Sequence, residues 1–160
     1  MAIIETPWIG RRTVIAQVAA AAAAVLVPSA PGIAQQSRIA TPRQTEGPYY
    51  PVAWSGDVDN DLVVVRGEAA KAMGQIAFVD GRVLDLSGAP VAGATVEIWQ
   101  CDSRGVYRHP RDESSTRRRD SGFQGHGRTV TDAFGRYSFR TIRPVTYPGR
   151  TPHIHFKVER

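Results

Sequence analysis

Two histidines separated by one residue, His153-Ile154-His155, are the sharpest local signal for chemistry in this chain. On a β-strand, residues i and i+2 project from the same face, so both imidazoles can reach one metal ion while Ile154 turns into a core. The same spacing also fits two polar positions on a solvated face, and spacing alone does not choose between the two. Other residue types narrow the options. The single cysteine, Cys101, rules out an intramolecular disulfide and a cysteine-based zinc site. It lies in an apolar strand pattern and reads as a small buried hydrophobe. No Asp or Glu stands beside the histidine pair to act as third ligand and base, which argues against a zinc or copper hydrolase.

The elements that must position these histidines are short β-type runs cut by turn residues. They are Leu62 to Val65, Ile76 to Val79 leading into Arg82 to Leu86, Ala94 to Gln100, Thr129 to Asp132, Arg136 to Ile142 and His153 to Val158. In one of them Val96, Ile98 and Gln100 share a face, with Glu97 and Trp99 on the other, and Trp99 reads as a core residue. Ser87-Gly88-Ala89-Pro90 is a turn by its chemistry. No helical period of any length appears after residue 34, and 15 glycines and 11 prolines fall where turns are needed. The expected fold is all-β, an antiparallel β-sandwich of immunoglobulin-like or transthyretin-like type, with long irregular loops around the site. The stretch Arg104 to Arg128 is the longest such loop, a length that is usually functional or disordered. His109 and His126, both within it, are expected at the solvent-exposed surface.

Length and composition agree with a single globular domain: 160 residues, 42% hydrophobic and 22% charged, are outside the disordered range. The formal charge of +5 raises the question of nucleic acid. Much of that charge sits in Arg104 to Arg119 among Asp112, Glu113 and Asp120, with no nucleic-acid-binding motif, so a solvated loop is expected and no nucleic-acid partner.

Residues 1–34 read as an export signal. Arg11-Arg12 precedes an apolar stretch from Val14 to Val27, and small residues lead to a cleavage site after Ala34. Gly10-Arg11-Arg12-Thr13-Val14-Ile15 is twin-arginine-like, an ordinary secretory signal or an uncleaved anchor being the alternative. The twin-arginine route carries folded proteins, which suits a cofactor loaded before export. The expectation is an exported protein, periplasmic or secreted, with no stable membrane span after cleavage. An extended lead-in segment over residues 35–60 and a sandwich core over 61–160 would follow.

Four separate motifs occur in order and carry a resemblance. They are Val96-Glu97-Ile98-Trp99-Gln100-Cys101-Asp102, Gly105-Val106-Tyr107-Arg108-His109, Arg136 to Pro144, and Tyr147-Pro148-Gly149-Arg150-Thr151-Pro152-His153-Ile154-His155-Phe156. With Thr41 to Tyr50 upstream, they resemble the intradiol ring-cleavage dioxygenases, of which protocatechuate and catechol dioxygenases are members. The resemblance covers roughly residues 40–160. It implies a non-haem ferric ion, Fe(III), held by Tyr107, Tyr147, His153 and His155, a catechol substrate, and dioxygen as co-substrate. It implies ring cleavage between the two hydroxylated carbons to a muconate-type diacid. Tyr147 would be the ligand displaced on substrate binding and a proton acceptor, Arg150 would stabilise anionic charge, and Tyr49 would line the substrate pocket. For Arg150 the alternative is a surface cation, and for Tyr49 a buried structural tyrosine. Chemistry supports the tyrosines: a phenol with pKa about 10 is neutral at pH 7, but a trivalent cation favours the phenolate, a hard oxygen donor suited to ferric iron.

Relatives continue past the His-x-His strand, whereas this chain stops at Arg160, so the core is expected to be incomplete or shortened there. An open strand edge at that place invites a homo-oligomer. A rival reading is a non-catalytic β-sandwich module. Gly81 to Asp85, Gly88 to Ala94 and Gly135 to Phe139 also fit carboxypeptidase-regulatory-like and transthyretin-like domains, and fold alone does not decide function.

Overall fold

The computed structural model describes residues 38–54, 56–112 and 118–160. The expected export signal over 1–34 lies outside these residues. Five strands are formed: β1 (Ile76–Arg82), β2 (Thr95–Trp99), β3 (His126–Val130), β4 (Arg136–Ile142) and β5 (His155–Glu159). They make two antiparallel sheets, β1-β4 and β3-β2-β5. No helix among the described residues is long and apolar enough to cross a membrane.

Strand β2 is the centre of the arrangement, with a strand on each side and cover on both faces. Val96 and Ile98 join Leu62, Val63, Phe123, Phe139 and Ile142 in the core between the sheets. Trp99 and, just past the strand, Cys101 belong to a second cluster with Tyr107, packed against Tyr49, Tyr50, Val145 and Tyr147. The alternation seen in the sequence thus separates a structural core from an aromatic cluster on the other face. Gln100, fully buried, ties the two halves: its amide donates to the Ile142 carbonyl, and its oxygen accepts from the Thr141 hydroxyl at 3.0 Å.

Three expectations change. Leu62 and Val63 are fully buried but do not form a strand. Their backbone groups bond separately to Arg140, Ala72 and Gln124, so this apolar run plugs the core as a turn. The run after Thr129 ends at Val130 and begins earlier, at His126, because Asp132 breaks it. The Asp132 carboxylate accepts the Phe134 and Arg136 amides, both at 2.8 Å, and closes the turn by which the chain passes from one sheet to β4 in the other. Asp80-Gly81 is in β1 rather than a link between two runs. Gly81 sits opposite Tyr137, whose ring occupies the place a β-carbon would need.

On β5, Phe156 and Val158 pair with Ile98 and Val96. They remain 43% and 48% exposed because the two-stranded sheet does not reach over them. Among the described residues no strand pairs with the outer edge of β5.

Candidate active site

Tyr107 reaches the aromatic cluster because of a buried carboxylate upstream. Asp102 is 1% exposed, and its Oδ1 accepts the amides of Arg104 (2.8 Å) and Val106 (3.0 Å) while its Oδ2 accepts that of Asp120 (2.8 Å). Gly105, at φ 73°, lets the chain turn back so that the Asp102 amide donates to the Val106 carbonyl. Asp112 then accepts the Tyr107 amide at 2.6 Å. Tyr147 begins a tight turn in which Pro148 and Gly149 (φ 76°) bring the Arg150 amide to the Tyr147 carbonyl at 2.9 Å. β5 does not include both histidines as the spacing suggested: His153 lies two residues ahead of the strand, and His155 opens it, opposite Trp99.

These pieces converge. The Nε2 atoms of His153 and His155 are 3.1 Å apart, and Tyr107 Oη is 3.3 Å from His155 Nε2. The Tyr147 ring stands edge-on to Tyr107, with centroids 5.3 Å apart, and 5.5 Å from His153. Tyr49 lies flat on Tyr107 at 4.6 Å and meets Tyr147 at 6.2 Å. Arg150 is exposed, but its charge is felt by both Tyr107 and His155. Ile154, between the histidines, packs against the main core as expected.

The protonation states suit metal binding. His153 Nδ1 lies 2.6 Å from the Thr151 carbonyl, which can only accept. An Nδ1 proton is therefore held there, and Nε2 is the ring nitrogen turned toward His155. Burial, then the neighbouring His153 and Arg150, depress His155 to about 4, so it is neutral at pH 7. Tyr107 is pushed well above the ordinary phenol value of 10 by burial, and next by its hydrogen bond with Tyr147. Without a cation it is a phenol.

Trp99 is buried as expected, but it is also part of the site's wall. Its indole stacks on His155 at 4.7 Å with 5° between planes, fixing the imidazole's orientation. Cys101 is buried, its thiol raised to about 11 by burial and then by Asp102, and it is no nucleophile. The two spare histidines are not at the solvent surface: His109 and His126 are each 4% exposed. His109 edges Tyr49 at 5.8 Å and accepts the Arg111 amide. His126 sits opposite Trp99 under Trp54, and burial, then Arg108 and Arg119, depress it to about 4. Sequence reasoning missed Asp102, one of whose three partners lies eighteen residues away, and Tyr50 and Glu97, which meet across 47 residues. Two surface clefts, of about 660 and 550 Å³, lie away from the ring cluster, lined by residues such as Asp80, Asp132 and Arg136 or Asp57, Arg66 and Arg128.

The dioxygenase family profile matches residues 45–159, which include every residue of the ring cluster. The chain belongs to the intradiol ring-cleavage dioxygenase family. It is 38% identical over 138 residues to the protocatechuate 3,4-dioxygenase beta chain of Burkholderia cepacia, covering 82% of this chain and 57% of that protein. Among solved structures it is similar to the dioxygenase domain of a dioxygenase and carbohydrate-binding fusion from Streptomyces sp. SirexAA-E. There the TM-score is 0.57 and identity 33%, over 74% of this chain and 66% of that one. It is also similar to hydroxyquinol 1,2-dioxygenase of Pseudomonas putida DLL-E4, with TM-score 0.59 and 25% identity over 79% and 46% of the two chains. The chain thus spans little more than half the length of the first of these relatives, and less of others. Of the two fold-compatible readings, the family is that of the dioxygenases, not that of the non-catalytic modules.

The donor set fits the iron that the family implies. Two donors on one ion, at bond lengths of about 2.1 Å and angles near 90–110°, stand roughly 3.0–3.4 Å apart. The His153–His155 and Tyr107–His155 separations of 3.1 and 3.3 Å fall in that range. Among the described residues no group of three His, Cys, Asp or Glu side chains converges to hold a metal. The tyrosines are the oxygen donors at hand, and phenolate oxygen favours a hard, highly charged ion.

Proposed function

We propose that this chain is the iron-binding unit of an intradiol dioxygenase, with Tyr107, Tyr147, His153 and His155 as ligands of Fe(III). It would use dioxygen to cleave a catechol between its hydroxylated carbons, giving a muconate-type diacid. The observation that carries this reading is the convergence of two imidazoles and a buried phenol to within 3.3 Å, with a second phenol beside them. When bound, a ferric ion would accept both catechol oxygens and make the ring open to dioxygen.

The chain's own residues have distinct parts. His153 and His155 donate neutral nitrogen, the first with its tautomer set by Thr151 and the second with its plane set by Trp99. Tyr107 is buried and anchored through its own backbone, which suits a permanent ligand. Tyr147 is half-buried on a turn, which suits a ligand that leaves and takes a substrate proton on its Oη. Arg150, at the other end of that turn, supplies positive charge where anionic charge develops. Tyr49 bounds the substrate space against Tyr107 and Tyr147.

We further propose that residues 1–34 export the protein to the periplasm or beyond, and that the open edge of β5 joins a second copy. Metal analysis with visible spectroscopy tests the iron reading. About one ferric ion per chain and a phenolate-to-iron charge-transfer band are expected. A colourless protein that takes up no iron would remove the ligand set.

A further inference from the structure

Tyr49 stacks on Tyr107, and among the described residues its segment belongs to neither sheet, so side chains have a part in holding it. Its neighbour Tyr50 reaches β2, where its hydroxyl donates to the carboxylate of Glu97 at 2.8 Å. Glu97 is only 6% exposed. The Lys157 ammonium, from β5, donates to the same hydroxyl at 3.3 Å and lies 4.7 Å from the Tyr50 ring centre. Lys157 also pairs with Glu46 at 3.0 Å, so the segment is tied four residues apart, on either side of Gly47 and Pro48. The Tyr50 ring meets the face-on edge of Trp99 at 5.0 Å and 85°, and Trp99 is the residue stacked on His155. A β-carbon on Gly47 would lie 3.7 Å from His155 Cε1, so the segment passes directly over that histidine.

We propose that Tyr50, clasped by Glu97 and Lys157, is a positioning residue that fixes residues 46–50 as the wall of the substrate site. The inference rests on the reading of that site as one for a catechol. The physical ground is mutual need. A buried carboxylate is costly unless hydrogen-bonded, and Tyr50 supplies such a bond to Glu97. A segment without sheet pairing loses backbone freedom only if side-chain bonds compensate, and Tyr50, Glu46 and Lys157 provide them. Tyr49 then stands at a set place over Tyr107 before substrate arrives, and a flat aromatic ring meets a preformed wall. Tyr50 touches neither the proposed ligand atoms nor the substrate; it acts through Tyr49.

The test uses the full chain in metal-free and iron-loaded forms. Tyr50→Phe keeps the ring against Trp99 and removes only the hydroxyl. In the metal-free form, amide hydrogen exchange at Gly47, Tyr49 and Tyr50 should rise about tenfold, the equilibrium effect of one charge-assisted hydrogen bond. In the iron-loaded form KM for catechol should rise by a similar factor, about tenfold, while kcat changes by less than about threefold and the charge-transfer band keeps its position. Glu97→Gln retains an acceptor for the Tyr50 hydroxyl and should keep both exchange and KM within about threefold of the parent, whereas Glu97→Leu should behave like Tyr50→Phe. Unchanged exchange in Tyr50→Phe would overturn the clasp even in a protein that cleaves catechol. A shifted band with KM unchanged would overturn it too, by placing Tyr50 in control of the metal rather than the wall. If the parent binds no iron, the exchange results still decide the clasp, and the failure belongs to the catechol reading alone.

Discussion

Replacing Tyr107 by Phe should lower iron affinity by roughly two orders of magnitude or more and abolish catechol cleavage, while leaving the metal-free fold intact. Groups that merely orient a metal ligand cost about 10–100-fold when removed, so a ligand itself sets a larger loss. The fold should survive because the substitution deletes one oxygen from a ring whose packing is apolar. Tyr107 is 2% exposed and lies among Trp99, Cys101 and Tyr49. Its position depends on the backbone bond to Asp112 and on the Asp102 turn, neither of which uses the hydroxyl. The remaining cost is the loss of the contacts of Oη with His155 Nε2 and with Tyr147. The matching spectroscopic result is a weakened and displaced charge-transfer band if Tyr147 still binds. Iron titration, with thermal unfolding of the metal-free variant, checks both halves. Parent-like iron affinity in a folded Tyr107→Phe protein would take Tyr107 out of the ligand set.

The second large effect is on stability and lies at Asp102. Asp102→Ala should destabilise the metal-free chain by about 3–5 kcal/mol, a large part of the 5–15 kcal/mol typical of a domain. Its carboxylate satisfies the amides of Arg104, Val106 and Asp120 at 2.8–3.0 Å, and the last two bonds are buried. Each buried amide left without an acceptor costs roughly 1–3 kcal/mol. Asp102→Asn should cost less, roughly 2 kcal/mol, because one oxygen remains while the new amide faces the Asp120 donor. Both changes should also weaken iron binding, since Val106 and Tyr107 are carried on this turn. Urea unfolding measures the effect, and a loss below about 1 kcal/mol for Asp102→Ala would show that the turn holds itself.

The contrast between these two residues shows what a single chain makes legible. Tyr107, Tyr147, His153 and His155 stand in motifs whose order and spacing carry the family resemblance, although His153 lies two residues ahead of β5 rather than on it. The alternation of Val96, Ile98 and Gln100 against Glu97 and Trp99 marks β2 and both of its faces. Asp102 is different: in sequence it is one more polar residue before a Gly-containing turn, and only the return of Asp120, eighteen residues later, makes it a buried hub. Tyr50 and Glu97 meet across 47 residues and leave no local pattern. His126 lies within the long irregular stretch Arg104 to Arg128, where the sequence suggests a surface residue. The strand begins three residues before Thr129, where the β-branched run starts, and pairing with Trp99 carries the imidazole inside. Leu62 and Val63 are a strand by composition, yet their amides and carbonyls find four separate partners. Periodicity reports which residues are inside; it does not report to whom the backbone bonds.

The proposed chemistry is tested most directly by product analysis of the iron-loaded chain turning over a catechol under isotopically labelled dioxygen. The account predicts a ring-opened muconate-type diacid with both labelled oxygen atoms incorporated, one at each former hydroxylated carbon. A yellow semialdehyde from cleavage beside the hydroxylated pair would contradict it, as would the absence of any ring-opened product across a panel of catechols in a protein shown to hold ferric iron.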